Sequence, residues 1–156
     1  KVSLNIHDVL EHVRLIVTAE KEESFQVVSD YDPSIPGLYA DRDQLIQAFL
    51  NLVRNSCQAV DPIGGRIMIK TRIRRKYTIL EKTHRLVVEV QVIDNGPGVA
   101  KELGKNIFFP LISGKSSGSG LGLPIAQSLI RRHGGIIDFN CVFGETVFSV
   151  WLPLGR

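Results

Sequence analysis

Ile6, Val9, Leu10, Val13 and Val17 recur at intervals of three and four, the period of a helix with one apolar face. Asn5 stands where the N-cap belongs and Asp8 follows three residues on, so the pattern predicts a helix over about 5–20. From Phe25 to Asp30 apolar and polar residues alternate as in an edge strand, and the prolines at 33 and 36 make Tyr31–Pro36 a turn. Asp41 then caps a helix from Gln44 to about Val60 that is apolar around most of its circumference, which predicts burial. Arg66 to about Leu80 is rich in strand formers, with Ile67, Ile69, Thr71 and Ile73 on one side. After a turn, Arg85 to Ile93 forms the second arm of a hairpin that delivers Asp94 at its end. Leu121 to His133 reads as a helix packed through Leu123, Ile125, Ala126, Leu129 and Ile130. Residues 136–142 and 146–152 form a last hairpin around Phe143-Gly144-Glu145. No internal repeat is present.

Between the hairpin and that last helix lies the run from Asp94 to Leu123. It opens with Asp94-Asn95-Gly96-Pro97-Gly98 and closes with Gly118-Ser119-Gly120-Leu121-Gly122-Leu123. Glycine clusters let backbone N–H groups approach phosphate oxygens, and a helix that starts at one adds unpaired donors and a favourable dipole. Two familiar cradles fail. Gly114-Lys115-Ser116 ends like a P-loop, but Phe109 occupies the place of its first glycine. The second cluster lacks the last glycine of the dinucleotide motif, because Leu123 stands there, and it follows a Ser/Gly loop where that motif needs a buried strand. A Gly/Ser linker stays open at this point.

The long buried helix carries polar side chains that need an explanation. A spacing of four puts Asn51 and Asn55 on one face, with Gln47 and Gln58 near the adjoining turns. Such amides either bond to one another inside the fold or line a cavity, where a carboxamide oxygen is a hard, neutral ligand for Mg²⁺ already held by phosphates. Asp94 is likewise open to two readings, an Asx turn with Gly96 or a ligand-binding carboxylate at a strand end.

Composition narrows the class. With 156 residues, 44% of them hydrophobic, the chain is long enough for one domain with a proper core. The net charge of +3 is small, and the basic stretch Arg72–Tyr77 alternates with apolar residues as the wet face of a strand, which argues against nucleic acid as a partner. Two cysteines, Cys57 and Cys141, make no disulfide framework and point to a reducing compartment, the cytoplasm. No apolar run approaches the roughly 18 residues of a membrane span. The amphipathic pattern is under way at the first residues, so a piece of a longer polypeptide is expected.

Taken in order, Asn51-Leu-Val-Arg-Asn55-Ser, Asp94-Asn-Gly96-Pro-Gly98, Phe108-Phe-Pro110 and Gly118-x-Gly120-Leu-Gly122-Leu123 resemble the N, G1, F and G2 boxes of the ATP-binding catalytic domain of sensor histidine kinases. That domain shares a wider family with type II topoisomerases, heat-shock chaperones and MutL. Tyr31-Asp-Pro-Ser-Ile-Pro36 and the compact stretch Phe109–Lys115 further resemble the nitrogen-regulation kinases of the NtrB type. The resemblance covers essentially the whole chain. It implies an α/β (α+β) fold, the Bergerat ATP-binding fold. This is a two-layer sandwich of a mixed sheet of about five strands with about three helices on one face. It also implies one catalytic domain over 1–156, in which helix 1–20 leads in from a dimerisation and phosphoacceptor domain and 99–119 form an ATP lid.

The same resemblance implies roles. Asp94 would accept from the exocyclic amine of adenine, Asn55 would ligate Mg²⁺, Asn51 would hold the phosphate or metal shell, and Lys115 would neutralise the terminal phosphates. Gly96, Gly98 and Phe108 would line the site, Gly118, Gly120, Leu121, Gly122 and Leu123 would bind the phosphate chain, and Thr146 would reach water beside the base. Leu111 replaces the phenylalanine that often closes the F box, and Gln58 stands where many relatives are basic, which leaves the phosphate-directed charge to Lys115. The water-activating relatives carry a glutamate where Asn51 stands. An amide takes no proton from water, so phosphotransfer to an imidazole fits better than hydrolysis.

The implied ligands are ATP and Mg²⁺, and the implied reaction moves the γ-phosphate to a histidine on a separate domain. Neither His7 nor His12 stands in the acceptor's usual context. The implied partners are the protein's own dimerisation domain, a response regulator and a PII-like signalling protein, with the isolated domain monomeric and the full protein a homodimer. A nucleotide-binding regulatory module without catalysis, or an ATP-hydrolysing clamp, are the alternatives.

Overall fold

The structure, a computed structural model, describes residues 1–20, 25–60, 64–96, 122–142 and 145–154. Its elements run β1 (Val2–Leu4), α1 (Ile6–Glu20), β2 (Gln26–Asp30), β3 (Leu38–Ala40), α2 (Arg42–Ala59), β4 (Arg66–Ile79), β5 (Lys82–Asp94), α3 (Gly122–Arg131), β6 (Ile136–Val142) and β7 (Glu145–Pro153). Five strands form a mixed sheet in the order β2-β4-β5-β7-β6. Strand β2 runs parallel to β4, and the other neighbours are antiparallel. A separate two-stranded sheet joins β1 to β3.

The caps named by the sequence are made. Asn5 Oδ1 accepts from His7 N at 2.9 Å to start α1, and Asp41 Oδ1 accepts from Gln44 N at 3.1 Å to start α2. Each satisfies a donor that the first helical turn leaves unpaired.

Alternation along β5 assigns the two faces of the sheet. Val88, Val90 and Val92 are fully buried in one core with Ile67 and Ile69 of β4 and Phe148, Val150 and Leu152 of β7. Ile6, Val9, Leu10 and Val13 of α1, Leu45, Phe49, Leu52 and Val53 of α2, and Ala126 and Ile130 of α3 enter the same core. The three helices described therefore cover one face, the expected two-layer α/β sandwich. Each Val, Leu, Ile or Phe among them contributes about 1.5–3 kcal/mol relative to exposure.

The opposite face is polar where it is wet. Glu89, only 6% exposed, accepts from Arg74 Nη2 and Trp151 Nε1, each at 2.8 Å. Lys76, with φ of 49°, twists β4 so that Tyr77 stacks on Trp151 at 5.8 Å, although strict alternation would put it on the face of Ile73.

Polar clamps set the helices on the sheet. His133 accepts from Asp41 N at Nε2 (3.1 Å), so its proton sits on Nδ1 and is donated to Leu129 O at 2.8 Å. This bond ties the start of α2 to the end of α3. On α1, His7 Nε2 lies 2.9 Å from Thr71 Oγ1 and its ring stacks on Tyr31 at 4.6 Å. Tyr31 donates to Glu11 Oε2 at 2.8 Å, and Glu11 in turn pairs with Arg14. Glu20 near the end of α1 pairs with Arg54 of α2.

Candidate functional site

The inward row of β5 ends in a carboxylate. After Val88, Val90 and Val92 the next residue on that face is Asp94, 1% exposed, at the same end of the sheet as the C-terminus of α2. Cross-strand register places it opposite Ile67 on β4 and Thr146 on β7, and Thr146 opposite Cys141 on β6. Directly opposed residues share a face, so Asp94 and Thr146 form a buried polar pair of positions at the margin of an apolar layer. Thr146 is 3% exposed, and its hydroxyl lies 3.8 Å from Cys141 Sγ.

Gly96 turns back on this carboxylate. Its N–H donates to Asp94 Oδ1 at 3.0 Å, the Asx geometry that the sequence left open. A Cβ at Gly96 would stand 2.6 Å from Ala59 O, in the last turn of α2. Only glycine fits between strand end and helix end. This close approach brings the C-terminal end of α2 against the turn that follows Asp94.

One turn before Ala59 lies Ser56, fully buried, whose hydroxyl has no hydrogen-bond partner among the described residues. Asn51 and Asn55 are half-buried on the same helix. Gln47 and Gln58, expected to extend the amide stripe, are exposed. The stripe is therefore the two asparagines, because Gln47 and Gln58 fall on the wet side of the helix.

Of the other predicted site residues, Gly122 opens α3 and Leu123 packs against the core from its first turn. Gly98, Phe108, Lys115, Gly118, Gly120 and Leu121 lie outside the described residues, as does the segment 99–119 expected as a lid. Among the described residues no group of three or more His, Cys, Asp or Glu side chains could hold a metal. A cation beside Asn51 and Asn55 would have to bring further oxygens with it, as a phosphate-bound Mg²⁺ does. A flat ligand edge with its own donors and acceptors suits the Asp94 end, where a buried acceptor stands across the ladder from a buried threonine.

Two residues of this region went unremarked in the sequence. Ser56 follows Asn55 directly, and its signal was only its place on the inward stripe with Leu52 and Val53. Asn95, inside the Asp-Asn-Gly triplet, bonds across to the start of β4 through both main chain and side chain.

Comparison with known proteins places the fold in a family. The family described as "Histidine kinase-, DNA gyrase B-, and HSP90-like ATPase" matches residues 40–156. The sensory histidine kinase/phosphatase NtrB of Escherichia coli O157:H7 is 43% identical over 156 residues, covering 100% of this chain and 45% of that protein. The chain thus spans less than half the length of the curated relatives it matches. Among solved structures, the catalytic domain of histidine kinase ThkA superposes with a TM-score of 0.83 at 26% identity, over 98% of this chain and 95% of that one. A structure of ThkA in complex with the response regulator protein TrrA matches at 25% identity and a TM-score of 0.77, over 99% of this chain and 42% of that one.

Proposed function

Because the chain belongs to the histidine kinase-, DNA gyrase B- and HSP90-like ATPase family, we propose that it binds Mg-ATP and donates the γ-phosphate to a histidine on a separate dimerisation domain. The likeness to NtrB supports placing it in a two-component kinase of nitrogen regulation. The observation that carries the nucleotide reading is the buried Asp94 carboxylate, held by Gly96 N–H against the end of α2.

Each role follows from what the side chain offers. Asp94 accepts from the exocyclic amine of adenine, which guanine lacks at that position. Thr146 and Ser56 supply hydroxyls at the base, directly or through water. The carboxamide oxygens of Asn55 and Asn51 face the phosphates, Asn55 as a Mg²⁺ ligand; the cation supplies neutralising charge when bound. Gly122 and Leu123 at the start of α3, with Gly118, Gly120 and Leu121 before them in the sequence, would offer backbone donors to the phosphate chain, and Lys115 would add a cation. Gly98 and Phe108 would complete the wall. No carboxylate stands at Asn51 to take a proton from water, so the site favours transfer to a neutral imidazole, which is already nucleophilic and needs positioning.

On this reading α1 leads in from the dimerisation domain, residues 1–156 act as one catalytic unit with 99–119 as lid, and a response regulator takes the phosphoryl group onward. A PII-like protein is a further partner to test. The free cysteines support placing the domain's work in the cytoplasm; no helix among the described residues is long and apolar enough to cross a membrane.

The test is to add γ-labelled ATP and a purified acceptor hairpin from an NtrB-type kinase. Label on the hairpin's histidine supports phosphotransfer. Release of phosphate without acceptor points to an ATPase clamp, and nucleotide binding with neither outcome points to a regulatory module.

A further inference from the structure

The β4–β5 ladder ends in an unusual way beside Asp94. In an antiparallel ladder, every second pair of opposed residues exchanges N–H···O bonds in both directions. Ile67 and Asp94 are the last paired residues, so the next exchange would join Arg66 to Asn95. One half of it is ordinary, since Asn95 N donates to Arg66 O at 3.2 Å. The other half is made by a side chain: Arg66 N donates to Asn95 Oδ1 at 2.8 Å, in place of the Asn95 main-chain carbonyl. The amide's other end, Nδ2, donates to Gly64 O at 3.3 Å.

This substitution has a consequence for the carboxylate one residue earlier. With its side chain closing the ladder, the main chain at Asn95 is released to turn. The turn brings Gly96 against Ala59 O and its N–H onto Asp94 Oδ1. The same carboxamide also grips residues 64–66, where the chain returns from α2 into β4, and Gln26 N of β2 bonds to Gly65 O at 3.0 Å in that turn.

We infer that Asn95 is a positioning residue for nucleotide selection: its carboxamide caps the β4–β5 ladder and thereby fixes the orientation in which Asp94 presents its carboxylate to the base. The inference rests on the nucleotide reading above. Asparagine is suited to this place because it offers an acceptor to Arg66 and a donor to Gly64 from one short side chain. Aspartate keeps the acceptor and loses the donor, and leucine of similar size loses both.

The experiment measures calorimetric affinities of the whole chain for ATP and for purine riboside triphosphate, which lacks the exocyclic amine, in wild type, Asn95→Leu and Asn95→Asp. Circular dichroism melts identify folded variants. Wild type should prefer ATP. In Asn95→Leu the preference should shrink by about tenfold, with the loss confined to ATP, and Asn95→Asp should fall between. A purely structural role would lower the melting temperature and leave the ratio of the two affinities unchanged, and that result in the folded variants would overturn the inference. Should Asn95→Leu not fold, Asn95→Asp decides alone, with a wild-type ratio counting against. Absence of nucleotide binding by wild type would instead overturn the nucleotide reading itself.

Discussion

Thr146 stands directly across the β5–β7 ladder from Asp94, and the two are the last inward-facing positions of their strands, both almost wholly buried. Gly96 N–H holds the Asp94 carboxylate in this place, and on the proposed nucleotide reading the base would meet it there. Asp94→Ala should weaken ATP binding by roughly 10- to 150-fold, the worth of about 1.5–3 kcal/mol for a charged hydrogen bond. Thr146→Val, which removes a neutral hydroxyl, should cost about 0.5–1.5 kcal/mol, and the double variant should cost less than the sum because the two sites adjoin. Unchanged affinity in Asp94→Ala by calorimetry would rule out its adenine role.

Asn55 carries a prediction of a different kind, because its partner is a cation. ATP affinity of the wild type should be higher with Mg²⁺ than with chelator. Asn55→Ala should lose about 10- to 100-fold in the presence of the metal and little without it. Equal losses under both conditions would mean that Asn55 contacts the nucleotide or the fold and not the metal.

At Gly96 the issue is space. The added methyl of Gly96→Ala would lie 2.6 Å from Ala59 O and 3.1 Å from Asp94 Oδ1, and the first of these is main chain that cannot rotate away. Overpacking of this sort costs about 1–3 kcal/mol, so the urea midpoint should fall and ATP binding should fall with it. A variant with wild-type stability and affinity would show that strand and helix ends separate freely.

The sequence marked Asp94, Asn51 and Asn55 because polar residues stood where the inward period called for apolar ones or where a glycine turn followed, whereas Thr146 entered only through the family resemblance. The helices and long strands were legible for the same reason, since their periods extend over many residues. Strands β1 and β3 were not, because Val2-Ser3-Leu4 and Leu38-Tyr39-Ala40 are too short to show a period and pair with each other across the whole of α1. Ser56 and Asn95 stayed hidden because their roles depend on what lies across from them, buried surroundings that offer no hydrogen-bond partner among the described residues for one hydroxyl and the main chain of Gly64 and Arg66 for one amide.

His7 makes the junction between α1 and the sheet sensitive to acid. Burial lowers its pKa below the ordinary 6.5, against the opposing pull of Asp32, Asp8 and Glu11. Between the lowered folded value and the unfolded one, the unfolded chain binds more protons, so stability rises with pH in that window. The contribution is complete above about pH 6.5 and is lost as pH falls through the folded value. The urea midpoint of wild type should therefore drop more between about pH 7.5 and about pH 5.5 than that of His7→Gln, which has no imidazole to protonate. Identical drops would place the acid sensitivity elsewhere.

The tip of the β4–β5 hairpin offers the cleanest gain in stability. The sequence pattern put a turn between about Leu80 and Arg85, and the strands extend into it: Ile79 pairs with Lys82 and only Leu80 and Glu81 connect them. Both adopt left-handed backbone, with φ of 46° and 71°. A two-residue connection of this hand suits the twist of the strands, but each residue with a Cβ costs about 1–2 kcal/mol there, and less for asparagine or glycine. Leu80 is 60% exposed, so its side chain gives little back through packing. The pair Leu80→Asn with Glu81→Gly should therefore raise stability by about 1–2 kcal/mol. The tip lies at the far end of the hairpin from Asp94, so ATP affinity should not change. A thermal melt at or below that of wild type would show that the turn is not strained, and a change in affinity would show that the tip communicates with the site.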